Sequence, residues 1–416
     1  MPVDFTLSAE QKALQTGARA FGSQVLSRVA AAIAPFSKPE ERFSATRPFY
    51  AQMAEAGFVH ALFPKEYGGT GMSVLDFAIA AEELAAVDIN VPTTMLGTGL
   101  GMEPILGFGT DEQKRRFIGQ ILEKPAERLA AFAFTEVTGG ANFDSPDPSA
   151  GVRTFARLEG DEWVIDGAKH YTTNGSGWDG KGSHLLTVVC RTDPTKPPAE
   201  SLAVIVVPGA TAGVEVVGYL DTMGHRAVVS PRIHFNGVRV PAANILGKPG
   251  DGAAICQHAF SWTAAAIGAA CTGVMRAAFD IAYEFAKSDK RSGTVPVIAH
   301  QNVGYMLADM KMRIEAARYL TWKASHLLDV SERKSDELAI MTKVYTSELC
   351  VQVVYDAMRL VGVDSYTDLS RLPGLMQDAL CFPLYDGGNM GVRRRQLHKK
   401  FLMPDYDAMA AAEGRF

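Results

Sequence analysis

The sequence predicts an α+β fold, mostly α, built as an N-terminal helical domain, a central antiparallel β-domain and a C-terminal four-helix bundle. Two changes of hydrophobic period carry this prediction. Apolar residues recur at helical spacing over 1–128, switch to a period of two over 129–245, and return to helical spacing over 246–416. A chain of 416 residues is also too long for one ordinary core.

In the first part, Ser8-Ala9-Glu10-Gln11 has the form of a capping box and starts an alanine-rich helix. Asp76 to Val87 and Asp111 to Leu122 continue the helical period. Gly68-Gly69-Thr70-Gly71 and Gly99-Leu100-Gly101 read as breaks between helices.

In the second part, β-branched residues gather in short runs between turn signals. Trp163-Val164-Ile165 precedes Asp166-Gly167, and Ile233, Phe235, Val238 and Val240 flank Asn236-Gly237; both dipeptides predict tight hairpin turns. His184 to Cys190 and Leu202 to Val207 are two further strands, joined by a Pro-rich loop from Asp193 to Glu200. A compact antiparallel β-barrel is the expected arrangement.

In the third part, Leu307, Met310, Ile314, Ala317 and Leu320 form one apolar stripe. Val344, Ser347, Val351, Val354, Met358 and Val361 form another. Long helices with short links predict an up-and-down bundle.

Composition narrows the function. Hydrophobic residues make up 47% and charged residues 21%, and the net charge is −5, so there is no basic field for nucleic acid or an anionic membrane. The five cysteines (Cys190, Cys256, Cys271, Cys350, Cys381) show no CxxC and no pairing rhythm, and the nine histidines lack metal-ligand spacing. Neither a disulfide framework nor a metal site is expected. The N-terminus lacks a basic region followed by an apolar run, which leads us to expect a cytoplasmic protein.

The most informative stretch is Leu384-Tyr385-Asp386-Gly387-Gly388-Asn389-Met390-Gly391-Val392-Arg393-Arg394-Arg395. Asp386 and Arg393 are seven residues apart, two turns of a helix, so acid and guanidinium can share a side. They read either as a base with its own counter-charge or as a glycine-broken loop entering a basic helix end, and these residues alone leave both open. Among known signatures, GxSxG, HExxH, a Walker loop and a GxGxxG between strand and helix are missing.

Three phrases, in order and on the expected backgrounds, resemble the acyl-CoA dehydrogenase family of flavoproteins over nearly the whole chain. Phe134-Thr135-Glu136-Val137-Thr138-Gly139-Gly140-Ala141-Asn142 resembles its TEP-x-AGSD loop, Gly167 to Gly175 its GTKxWITNG strand, and Val238 to Gly247 its VxVPxxNxLG exit from the β-domain. The resemblance implies FAD. Phe134, Thr135, Gly140, Ala141 and Asn142 would lie along the cofactor, Thr173 would approach flavin N5, and Tyr171 would stand where the family often has Trp. Read singly, Tyr171 could be core and Thr173 a strand hydroxyl. Arg291, His300 and Gln301 resemble the family's R…Q segment, which reaches the cofactor across a subunit interface, although its phenylalanine is absent; an exposed cation in a Gly-rich loop is the plainer reading. Gly387 and Asn389 are further expected cofactor neighbours.

Departures from the family pattern point to a branch within it. Tyr385-Asp386-Gly387-Gly388 replaces YEGT, Thr263 stands where some members carry the acid, and Ala264 where many CoA-binding members place an arginine. Arg42 to Tyr50, Gly177 to Gly182, Phe285 to Asp289 and Tyr385 to Arg395 resemble the nitroalkane oxidase branch. By that resemblance Asp386 is the base, Arg393 aims it, and Thr263 bonds to it in place of Ser. A small nitroalkane or related carbon acid would lose its α-proton to Asp386, and the carbanion would add to flavin N5. Nitrite would leave, an aldehyde or ketone would form, and dioxygen would yield hydrogen peroxide. The family is commonly homotetrameric, so a homotetramer is expected. An acyl-thioester dehydrogenase that passes electrons to a carrier protein, or a non-catalytic flavin-fold scaffold, are the alternatives.

Overall fold

The computed structural model describes residues 5–331 and 336–415. Its first part is helical: α1 (Ala9–Gln24), α2 (Val29–Ile33), α3 (Pro39–Glu55), α4 (Val74–Ala85), α5 (Asn90–Phe108) and α6 (Asp111–Glu123). Ser8 caps α1 through the expected reciprocal box with Gln11, and Thr110 with Gln113 does the same for α6. Gly68 and Gly71 lie at positive φ in the expected turn. The break expected at Gly99-Leu100-Gly101 is not there, because α5 runs straight through it. These glycines are set by close packing: a Cβ on Gly101 would stand 2.5 Å from the Ala131 nitrogen, and one on Gly99 2.7 Å from the Trp262 ring. Helix propensity is overridden by tertiary contact.

The middle part comprises β1 (Ala130–Ala133), β2 (Phe155–Glu159), β3 (Glu162–Lys169), β4 (Leu185–Arg191), a short α7 (Pro198–Ser201), β5 (Leu202–Pro208), β6 (Val214–Tyr219), β7 (Pro231–Pro241) and β8 (Ile245–Leu246). The sheet runs β6-β7-β3-β2-β4-β5-β8, with β1 added to β4. It is mixed rather than antiparallel, since β1 and β2 both pair parallel to β4. Because β5 occupies one edge of β4 along its length, β1 and β2 follow each other along the opposite edge. The connection over 134–154 is thereby pushed out between them.

Neither predicted hairpin turn is a turn. Asp166-Gly167 lies inside β3 and Asn236-Gly237 inside β7, where together they form one bulge: Ile165 pairs with Val238 and Gly167 with Phe235, so one extra β7 residue is accommodated. Gly237 takes the left-handed conformation at φ 60, and its N–H donates to Asp166 Oδ1 at 2.7 Å. The same dipeptides serve bulges and turns because both need a residue that tolerates positive φ.

The last part is built on α8 (Gly252–Ser288), α9 (Gln301–Val330) and α10 (Glu337–Val361), with the shorter α11 (Leu372–Cys381), α12 (Arg394–Phe401) and α13 (Ala410–Glu413) following. By length and composition α8 could cross a membrane, but 78% of its apolar window is buried among α4, α5, α9 and α10, as suits the spine of a bundle. Leu307, Met310, Ile314 and Ala317 are buried on α9 as patterned, as are Ser347, Val354 and Val361 on α10. Each large apolar side chain buried this way contributes about 1.5–3 kcal/mol.

Candidate active site

Asp386 lies on the turn after α11 at φ 52, ahead of Gly387 at φ 85 and Gly388 at φ 64. Three successive left-handed residues reverse the chain. The two glycines adopt this freely, so the strain, about 1–2 kcal/mol, falls on Asp386. A wide π turn, Gly388–Arg393, then feeds into α12. Arg393 therefore returns to Asp386 by a left-handed turn and a π turn, not by two α turns.

Both carboxylate oxygens of Asp386 have a designated partner. Thr263 Oγ1, on α8, donates to Oδ1 at 2.8 Å. Arg393 Nη2 pairs with Oδ2 and also donates to the Phe260 carbonyl at 3.0 Å, while Nε donates to the Asp386 carbonyl at 2.9 Å. The two side chains are 3% and 0% exposed, so this is a buried, doubly anchored pair. The Arg393 guanidinium stands 5.3 Å from the Phe260 ring centre, and Phe260 meets Phe132, Phe134 and Phe143 edge-on. A fixed carboxylate beside an aromatic wall can take a proton from carbon in a water-poor setting.

The flavin residues expected from the sequence lie on the loop between β1 and β2 and on the segment after β3. The His170 N–H donates to the Thr135 carbonyl at 2.8 Å and ties the two segments together. Lys169 Nζ donates to the Phe134 carbonyl at 3.0 Å and to Glu136 at 2.9 Å. Glu136 also accepts from the Thr154 hydroxyl and from the Arg153 and Thr154 N–H groups. Burial pushes the Glu136 carboxyl up, yet the Lys169 charge and the Thr154 bonds outweigh it and leave it below its usual range. Tyr171 holds φ 55 and is 57% exposed, and Thr172 Oγ1 is buried without a partner among the described residues. The Thr135 and Thr173 hydroxyls take no hydrogen bond among the described residues. Free hydroxyls and an exposed ring on a braced backbone fit the polar edge and face of a flavin.

Gly140 packs against Phe134, where a Cβ would stand 2.4 Å from the ring. Arg395 donates to the Ala141 carbonyl, to Asn142 Oδ1 at 3.2 Å and to Asp144 at 2.7 Å, pinning this loop to α12. Asn389 is buried and its amide is satisfied by Lys343, Ser347 and Glu348. Arg291, His300 and Gln301 are not brought to Asp386. They lie beyond the far end of α8, and Thr263 to Phe285 alone spans about 33 Å of helix. Arg291 and His300 line one shallow surface hollow with Lys290, while Arg291 is bonded to Asp364 at 2.9 Å.

Sequence reasoning missed Lys343, Lys169, Glu136 and Phe260. Lys169 and Glu136 lie within the quoted flavin phrases. Lys343 had one signal, a lysine next to the apolar stripe of α10.

The acyl-CoA dehydrogenase N-terminal, middle and C-terminal domain families match residues 8–124, 131–238 and 250–402. The chain is 39% identical over 435 aligned residues to nitroalkane oxidase of Podospora anserina, covering 100% of both. It is 37% identical over 430 residues to nitroalkane oxidase of Fusarium oxysporum, covering 99% of this chain and 98% of that one. Among solved structures, an active-site aspartate-to-asparagine mutant of nitroalkane oxidase crystallized with 1-nitrooctane aligns with a TM-score of 0.94. It is 36% identical over 99% of this chain and 100% of that one.

Proposed function

The chain belongs to the acyl-CoA dehydrogenase family and is a nitroalkane oxidase-like flavin oxidoreductase, and on that premise we propose that it uses FAD to oxidise nitroalkanes. A nitroalkane, water and dioxygen become an aldehyde or ketone, nitrite with its proton, and hydrogen peroxide. The observation that carries the reading is Asp386 with Thr263 on one oxygen and Arg393 on the other.

The bound flavin supplies the two-electron acceptor. Asp386 takes the α-proton, which the nitro group has already made acidic. Thr263 and Arg393 leave the carboxylate one orientation, so the proton is met without a search. The phenylalanine wall excludes water from the base. Thr135, Thr173 and Tyr171 would hold the flavin's polar edge and face, braced by Lys169 and Glu136. Arg291, His300 and Gln301 would serve the cofactor of a neighbouring subunit, in a homotetramer.

The acyl-thioester reading is less well supported. Thr263 offers no carboxylate, and Ala264 is fully buried, leaving no cation there for a CoA phosphate.

Purified yellow protein is expected to release nitrite and peroxide from nitroethane. Asp386→Asn should keep FAD but fail to bleach it anaerobically. Full bleaching by the Asn variant, or bleaching by an acyl-CoA without peroxide in air, overturns the reading.

A further inference from the structure

Lys343 is a charged group that the chemistry above leaves unused. It sits on α10, fully buried, and its ammonium donates at 2.8 Å to Asn389 Oδ1. No carboxylate pairs with it directly among the described residues. Asn389 is held from its other end as well, donating to Ser347 Oγ at 2.9 Å and Glu348 Oε1 at 3.0 Å, while its N–H donates to the Pro383 carbonyl at 2.9 Å. Lys343 and Ser347 are one helical turn apart, so a single face of α10 grips both ends of the amide.

Asn389 is the second residue of the π turn that starts two residues after Asp386 and ends on Arg393. Clamping it fixes the path from base to guanidinium. The buried site then holds one anion, Asp386, and two cations, Arg393 and Lys343. Burial pulls the Lys343 ammonium down to about 8, with Asp386 opposing that fall and Arg393 adding to it. An ammonium so placed is costly, and an apolar side chain of similar volume would fill the space at less cost.

We propose that Lys343 is a positioning residue for proton abstraction: through Asn389 it holds the turn joining Asp386 to Arg393. The inference rests on the oxidase reading above. Asp386 itself is met by Thr263 from α8 and Arg393 from the π turn, while Lys343 from α10 meets the turn at Asn389. Glu348 and Arg394 lie beyond Asn389 and offset each other in a 3.1 Å pair, and the Cys271 thiol lies near Lys343.

The test is kcat/KM for FAD-loaded wild type, Lys343→Met and Asn389→Asp. It is measured with neutral nitroethane and with its preformed anion, which has already lost the proton. With nitroethane, kcat/KM should fall about tenfold in both variants, because each releases one end of the Asn389 clamp and lets the carboxylate stray from the path of the proton. With the anion, which has no proton left to lose, the loss should be clearly smaller. FAD content from the visible spectrum confirms that each variant is loaded, and Asn389→Asp leaves α10 intact should Lys343→Met fold poorly. An undiminished kcat/KM for nitroethane, or equal losses on both substrates, overturns the proposal. Wild type that releases no nitrite from either substrate would instead sink the oxidase reading.

Discussion

Thr263 and Asp386 are 123 residues apart in sequence, yet the threonine hydroxyl donates to the carboxylate at 2.8 Å. A hydrogen bond to a charged group is worth about 1.5–3 kcal/mol, so Thr263→Ala should cut kcat/KM for nitroethane by about tenfold or more. Thr263→Ser keeps the hydroxyl and should remain near wild type. An alanine variant as active as wild type would remove Thr263 from the mechanism.

The parts of the fold that depend on local pattern were legible in the sequence. Helical periods and the Ser8–Gln11 capping box rest on residues a few positions apart, and Asp386 and Arg393 are only seven apart. The sheet was less legible because its directions are set by non-local pairing: nothing near Ala130 tells that it will run parallel to Leu185. Asp166-Gly167 and Asn236-Gly237 were read as turns because a bulge asks for the same residues. Lys343 was overlooked because a lysine beside an apolar stripe looks solvated until the chain after α11 is seen to cover it.

The glycines of α5 give a second prediction. Gly101→Ala would press a methyl into the Ala130–Ala131 backbone, which cannot rotate away. Overpacking of this kind costs about 1–3 kcal/mol. Gly17, in α1, has nothing within 4 Å of a built Cβ, so Gly17→Ala should be neutral or gain up to about 1 kcal/mol. Urea unfolding of both variants decides it. Equal effects would mean that α5 does not sit as closely on β1 as described.

The corner beside Tyr385 should make stability depend on pH. Asp378, on α11, accepts the His225 N–H at 2.6 Å, and the buried His225 ring meets Phe382 and Tyr385 edge-on. Burial raises the Asp378 carboxyl to about 7, helped by Asp88 and opposed by the His225 N–H and Arg371. Burial also pulls His225 down to about 4, so the ring stays neutral at physiological pH. An acid whose folded value lies above its unfolded one, near 4, binds its proton more tightly when folded. Its contribution is therefore fully present below about pH 4 and is lost as pH rises through about 7. Asp378→Asn keeps an oxygen for the His225 N–H but cannot ionise. The difference in Tm between Asn variant and wild type should shift in favour of the variant from pH 5 to pH 8, whatever its sign at pH 5. A difference that stays flat across that window would show that Asp378 is charged throughout.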